Sequence, residues 1–254
     1  MPGQDRPFDP THTLVLATSG DATAEASAMA TAVRAVLDHA DTVTLHLDPG
    51  ALASDHPELA AELRAATEQV DDGVRRASVD RVREPLAALL DLVDVHRFVT
   101  LERLDASRDG RQVLHYVPDH TTFEVDATAA EGVVDAVSRA VADEPASLLP
   151  ATVLADWDVD GTQYELAPPS LCVDGATCFG LGPLDRVAFD DADRTIRLTW
   201  AAGDGLLATA GELLGPNRPE RFEFDSANRY VHVAEAFETV ADALGADRET
   251  TERR

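Results

Sequence analysis

Apolar positions near the start of the chain switch between the period of a strand and that of a helix. Thr13-Leu14-Val15-Leu16-Ala17-Thr18 predicts a strand over residues 13–18, and Ala26, Met29, Ala30, Val33, Val36 and Leu37 then fall on one stripe of an amphipathic helix. Val43, Leu45 and Leu47 alternate with polar residues and predict a second strand over 42–47. Strand, tight turn, helix and strand in this order predict a right-handed crossover between parallel strands, and ligands of such sheets sit beyond the carboxyl ends of the strands. Here that place is Ser19-Gly20-Asp21.

Further along, Asp48-Pro49-Gly50 reads as a turn. Asp55 and Glu58 form a capping box that opens a helix carrying Leu59, Leu63, Ala66 and Val70 and ending near Gly73. Residues 74–80 read either as a short strand ending on Asp80 or as the start of a helix. Pro85 is placed in the first turn of a helix with Leu86, Leu89, Leu90 and Val93 inward. A second helical segment over 95–107 carries Val95, Phe98, Val99, Leu101 and Leu104, and Gly110 ends it. Residues 112–117 predict a buried strand, and 128–142 a helix with Val133, Val134, Val137 and Val141 on one face.

After Pro150 the texture changes to short runs at 152–154, 163–166, 170–173, 186–189 and 195–200, which predict strands. Asp160-Gly161, Asp174-Gly175 and Asp190-Asp191-Ala192-Asp193 between them are turn chemistry. A short helix over 205–214, a strand over 221–224, a helix over 231–244 and a frayed charged tail complete the pattern. Two domains are expected: α/β at 12–145, and a small antiparallel β domain with a terminal helix at 150–245.

Charge changes this picture. The net charge is −26, all 21 basic residues are arginine, and the carboxylates are spread along the whole chain. Polyanions such as nucleic acid and anionic membranes are therefore excluded as partners. The composition points to the cytoplasm of a salt-loving cell, where a carboxylate-rich surface keeps protein in solution. No stretch reaches the roughly 18 consecutive apolar residues of a membrane span, and Met1-Pro2-Gly3-Gln4-Asp5-Arg6 lacks the plan of a signal peptide. Cys172 and Cys178 fit no zinc spacing, so no metal is expected and both are read as free thiols.

Candidate chemistry is sparse. Without lysine there is no Schiff-base chemistry, and neither a G-x-S-x-G elbow nor an H-E-x-x-H helix occurs. Ser19-Gly20-Asp21 has one glycine and an aspartate that would repel phosphate, where a phosphate loop needs GxxxxGK[ST]. His115 and His120 flank a strand end with Asp119 beside them, an arrangement open to acid/base work. Between Arg75 and Arg111 eight arginines meet seven acids. These pair internally, or Arg75, Arg76, Arg81 and Arg83 form a docking surface for a protein.

The order of Ser78-Val79-Asp80, a helix over 83–90, a helix around Arg97-Phe98-Val99 and the strand Val113-Leu114-His115-Tyr116 resembles the Walker-B half of RecA/KaiC-type ATPase domains. It looks most like the degenerate versions carried by salt-loving archaea. The resemblance covers residues 12–142 and implies a RecA-like three-layer core with a parallel sheet. Asp80 would be the position that helps to hold magnesium, with Ser19, Gly20 and Asp21 against any nucleotide. Because the loop lysine and second glycine are absent, the resemblance implies a pseudo-ATPase with no catalytic residue and no cofactor. Its function would be regulatory or protein-binding; the alternative is an ATPase with a non-standard phosphate loop. The second half is loosely similar to PH-like barrels.

The charge carries a prediction of its own. Screening of carboxylate self-repulsion should raise the melting temperature between low and multimolar potassium chloride. A melt that is unchanged or lowered by salt rejects the halophilic reading.

Overall fold

The computed structural model describes residues 8–17, 22–92, 100–201 and 217–251. The chain divides into two compact units, Met1–Leu14 with Ala22–Glu144, and Val15–Asp21 with Pro145–Arg254. Among the described residues no helix is long and apolar enough to cross a membrane.

In the first unit the strands are β1 (His12–Leu16), β2 (Thr42–Leu47), β3 (Glu68–Asp71), β4 (Val74–Ser78), β5 (Leu101–Arg108), β6 (Arg111–Val117) and β7 (Thr122–Val125). They lie in the order β3-β4-β2-β5-β6-β7-β1, and every adjacent pair is antiparallel. Helices α1 (Ala22–Leu37), α4 (Val79–Leu90) and α5 (Val133–Ala140) pack together, α1 touching both others and also β6, while α4 touches β4. Two short helices, α2 (Pro49–Asp55) and α3 (Pro57–Ala66), precede β3. Leu45, Leu104, Tyr116 and Phe123 are direct neighbours across four strands and fully buried, as are Val43, Ala106, Leu114 and Val125.

The expected RecA-like parallel sheet is overturned. β2 lies between β4 and β5, antiparallel to both, and β1 pairs with β7, so β1-α1-β2 is no parallel crossover. Periodicity located both strands and the helix between them, but long-range pairing decides parallel from antiparallel. The helix expected over 95–107 is β5 from Leu101 onward, and residues 93–99 lie outside the described residues. His46 faces Arg103 but Leu47 faces Leu101, so Glu102 is an extra residue. This bulge turns Leu101 and Leu104 to the same face, imitating the spacing of three that marks a helix.

Helix limits shift for similar local reasons. Asp48 is not a turn residue but the N-cap of α2, its Oδ1 accepting from the N–H of Gly50 (2.8 Å) and Ala51 (3.0 Å). Asp55 is the last residue of α2 and His56, in place of Asp55, is the N-cap of α3, which ends at Ala66; Val70 belongs to β3. Pro85 lies inside α4, which begins six residues earlier, at Val79. Gly73 turns β3 into β4 at φ 69°, and a Cβ there would meet the Leu47 carbonyl at 2.9 Å.

The second unit contains two four-stranded sheets in the orders β12-β11-β10-β9 and β15-β14-β13-β16. The strands are β9 (Ala155–Val159), β10 (Thr162–Ala167), β11 (Ser170–Val173), β12 (Thr177–Gly180), β13 (Leu184–Asp190), β14 (Thr195–Trp200), β15 (Arg221–Glu223) and β16 (Asp247–Thr251). β8 (Ala146–Pro150) runs beside the end of β1 that belongs to this unit, where the Ala17 N–H bonds the Pro145 carbonyl at 2.9 Å. Helix α6 (Ala227–Leu244) packs on β8, β9 and β13 and ends at Gly245, φ 66°. The tail expected to fray is β16, parallel to β13, so the helix is not terminal and the PH-like expectation is corrected to two sheets and a helix. The run expected as a strand at 152–154 precedes β9, and the helix expected over 205–214 lies outside the described residues.

Cys172 and Cys178 form a disulfide, correcting the expectation of free thiols. They are direct partners across β11 and β12, a pairing set by the three-residue turn 174–176 and not by spacing alone. The core of this unit centres on aromatic rings. Trp157 stacks on Tyr164 (5.6 Å) and meets Phe222 edge-on (5.1 Å), and Phe237 of α6 lies 6.0 Å from Phe222. Tyr230, near the start of α6, donates its hydroxyl to Asp191 (2.7 Å); burial and that carboxylate raise its phenol above the ordinary tyrosine value. Phe237 is 0% exposed, so Phe237→Ala should cost about 3–5 kcal/mol in chemical unfolding of this unit. A loss below about 1 kcal/mol would show that the cluster does not hold the unit.

Candidate functional site

The face of the first sheet opposite its apolar lines carries polar side chains in register. Glu68, Arg76, Thr44, Asp105, His115, Glu124 and Thr13 are successive partners across β3, β4, β2, β5, β6, β7 and β1. Directly opposed residues share a face, so this row is the mirror of the buried lines. Glu68 and Arg76 are exposed at one end, Thr44 to Glu124 are half-buried, and Thr13 is buried with its hydroxyl on the Phe123 carbonyl (3.2 Å).

Asp105 is the centre of the row. Its Oδ1 accepts from His115 Nδ1 (2.8 Å) and Gln112 Nε2 (3.0 Å), and Arg103 Nε lies 3.0 Å from Oδ2. An ionised carboxylate only accepts, so His115 donates to it from Nδ1. The Phe8 ring stands 6.0 Å from that imidazole. On β2, His46 Nε2 accepts from Arg103 Nη2 and lies 3.9 Å from Asp105. Since guanidinium only donates, His46 is neutral here. Burial first and Arg103 second hold its imidazole below the ordinary value of 6.5, against the opposite pull of Asp105 and Glu102, with His115 adding to the lowering. Burial alone lowers His12, at the start of β1.

This arrangement can orient one imidazole for proton exchange and present a guanidinium beside it; among the described residues no cluster of His, Cys, Asp or Glu is arranged to hold a metal ion. The site anticipated from sequence is distributed differently. Ser19, Gly20 and Asp21 lie outside the described residues. Asp80 is not at a strand end but exposed in the first turn of α4, where a carboxylate complements the helix dipole. Asp119 and His120 sit exposed in a 3-10 turn, 3.6 Å from each other, and it is Asp105 that holds His115. Asp105, Arg103, Gln112 and His46 carried no signal until the strands were paired.

The arginine stretch also resolves into separate duties. Arg75 donates to Thr67 Oγ1 (2.5 Å) and to the carbonyls of Arg64 and Thr67 (both 3.1 Å), and Arg81 to the Ala65 carbonyl (2.8 Å). Both cations therefore cap the C-terminus of α3, whose last carbonyls lack helical partners. Arg83 pairs with Asp38 at 2.7 Å, and Arg76 reaches Thr44 Oγ1 at 3.3 Å.

No protein family, curated protein or solved structure matches this chain.

The two lowered imidazoles set a pH dependence. The unfolded chain takes up a proton near pH 6.5 and the folded chain only at lower pH, so both groups stabilise the fold fully above 6.5. That contribution is lost as pH falls from 6.5 through the folded values. Histidine titration by NMR should give midpoints below 6.5 for His46 and His12, and Arg103→Gln should move the His46 midpoint upward. An unmoved His46 midpoint in that variant would remove Arg103 as a cause.

Proposed function

We propose that the chain is a non-enzymatic cytoplasmic protein whose first unit recognises a protein partner through the open face of its antiparallel sheet. The observation that carries this reading is the polar row across seven strands, opposite the buried apolar lines and exposed at its Glu68 and Arg76 end. Along and beside it Arg76 and Arg103 stand among Glu68, Glu102, Asp105 and Glu124, so the face offers two guanidinium groups to a carboxylate-rich partner. Strongly acidic proteins repel one another, and a guanidinium on the surface is where a second such surface can approach. The pseudo-ATPase basis for a regulatory role is withdrawn along with the parallel sheet.

Two adjacent arginines test the reading. Arg76 is exposed on the open face, whereas Arg75 is tied to the end of α3. Arg76→Glu should change stability by less than about 0.5 kcal/mol and abolish co-purification of a protein from extracts of the source cells. Arg75→Glu should cost about 1–3 kcal/mol, since it leaves helix carbonyls unpaired and puts an anion at a C-terminus. A partner recovered at full yield with the Arg76 variant removes this face as the docking surface.

A further inference from the structure

The disulfide lies in a register row of its own. Cys178 faces Cys172, Cys172 faces Glu165 of β10, and Glu165 faces Asp156 of β9. Leu171, Leu166 and Ala155, on the opposite side of the same strands, are buried, while Asp156, Glu165 and Cys178 are exposed and Cys172 is half-buried. The disulfide is thus on the solvent side of this sheet, in line with two carboxylates.

The hairpin that carries it is held independently of the sulfurs. At its tip the Asp174 N–H bonds the Gln163 carbonyl (2.8 Å) and the Gln163 N–H bonds Asp174 Oδ1 (2.9 Å). The Ala176 N–H bonds the Val173 carbonyl (3.1 Å), and the Leu181 N–H bonds the Pro169 carbonyl (2.9 Å). Opening the disulfide therefore leaves the two thiols opposed in the same register, where they can close again without rearrangement of the backbone.

We propose that Cys172–Cys178 is a reversible thiol-exchange site that selects its reductant by charge, favouring attacking thiolates of low net negative charge over polyanionic ones. The thiolate of the reductant attacks Sγ of exposed Cys178, a mixed disulfide forms, the Cys172–Cys178 bond breaks, and Cys172 leaves as a thiolate that takes a proton from solvent. A second thiol of the reductant attacks the mixed disulfide and releases Cys178, which is protonated in turn. The reductant loses two electrons and becomes its own disulfide, and the protein gains two thiols. Glu165 and Asp156, with Asp174 at the tip, oppose each negative charge the attacker brings, and salt screens that opposition.

The test reduces the intact chain with cysteamine, 2-mercaptoethanol and mercaptoacetate, whose thiolates carry zero, one and two net negative charges. Alkylation and intact mass follow the reaction, and each rate is divided by that on a small uncharged disulfide. At low salt the normalised rate for cysteamine should exceed that for mercaptoacetate by about tenfold, and the two should converge in molar potassium chloride. Asp156→Asn with Glu165→Gln should narrow the low-salt ratio; both side chains are exposed, and circular dichroism verifies that the variant is folded. Exchange of the reduced chain into cystamine, the disulfide of cysteamine, should restore the intramolecular disulfide, the cystamine taking up the two electrons and leaving as two cysteamine thiols. Equal rates at low salt, an unchanged ratio in the variant, a disulfide that resists reduction in the folded chain, or failure to re-form it would each overturn the proposal.

Discussion

Leu45, Leu104, Tyr116 and Phe123 make a continuous buried line across β2, β5, β6 and β7, and the rest of the first unit depends on that line staying in register. Side chains alternate between faces along each strand, so a slip of one residue would turn an apolar set outward and bring charges under the helices. Burial of each large apolar side chain contributes about 1.5–3 kcal/mol. The half-buried charges of the opposite face set their attraction against the cost of desolvation, so their net contribution is small. The inner face therefore sets the register, and the polar row follows from it. What that row contains is free to answer to recognition, because the stability of the sheet does not rest on it.

Much of this unit can be read from the chain, and the failures have specific causes. Alternation at Val43, Leu45 and Leu47 locates β2, and the stripe from Ala26 to Leu37 locates α1, because both signals arise within one element. Strand direction does not arise within an element. The strongest available cue was Asp109-Gly110, the two-residue loop of a hairpin with φ 51° and 76°, which closes β5 onto β6 and excludes a helix running up to it. Read as a helix end instead, Gly110 allowed the apolar spacing at Leu101 and Leu104 to pass as helical.

Arginine as the sole cation gives the surface of this unit a particular form. Its planar fork reaches several acceptors at once, as Arg75 does at Thr67 and Arg64, and Arg111 with Thr128 (2.7 Å to the carbonyl) and Asp126 (3.5 Å). A short helix such as α3 ends with carbonyls that need partners, and Arg75 and Arg81 supply them from a strand and a helix that follow it in the chain. A run of arginines in sequence is thereby dispersed in space, Arg75 and Arg81 at the end of α3 and Arg83 against Asp38. Arg76 differs because β4 alternates: its neighbour Arg75 turns toward α3, and Arg76 turns to the open face.

The central contact of the candidate site depends on a displacement that alternation alone does not reveal. From the Asp109-Gly110 turn outward, Arg108 faces Arg111 and Ser107 faces Gln112, and a regular ladder would next oppose Ala106 to Val113 and Asp105 to Leu114. Instead Ala106 faces Leu114 and Asp105 faces His115, so Val113 is an extra residue. The two consecutive apolar residues Val113 and Leu114 are both fully buried, and this is the local sign of the bulge. Without it the Asp105 carboxylate would be set against a leucine, short of the imidazole donor that it has here beside Gln112. A carboxylate with 18% of its side chain exposed requires such donors. The bulge therefore both completes the apolar line beneath the helices and delivers His115 to Asp105. Deletion of Val113 would leave a regular ladder in which Leu114 still faces Ala106 and His115 still faces Asp105, so the residue itself adds only its own buried side chain beneath the helices.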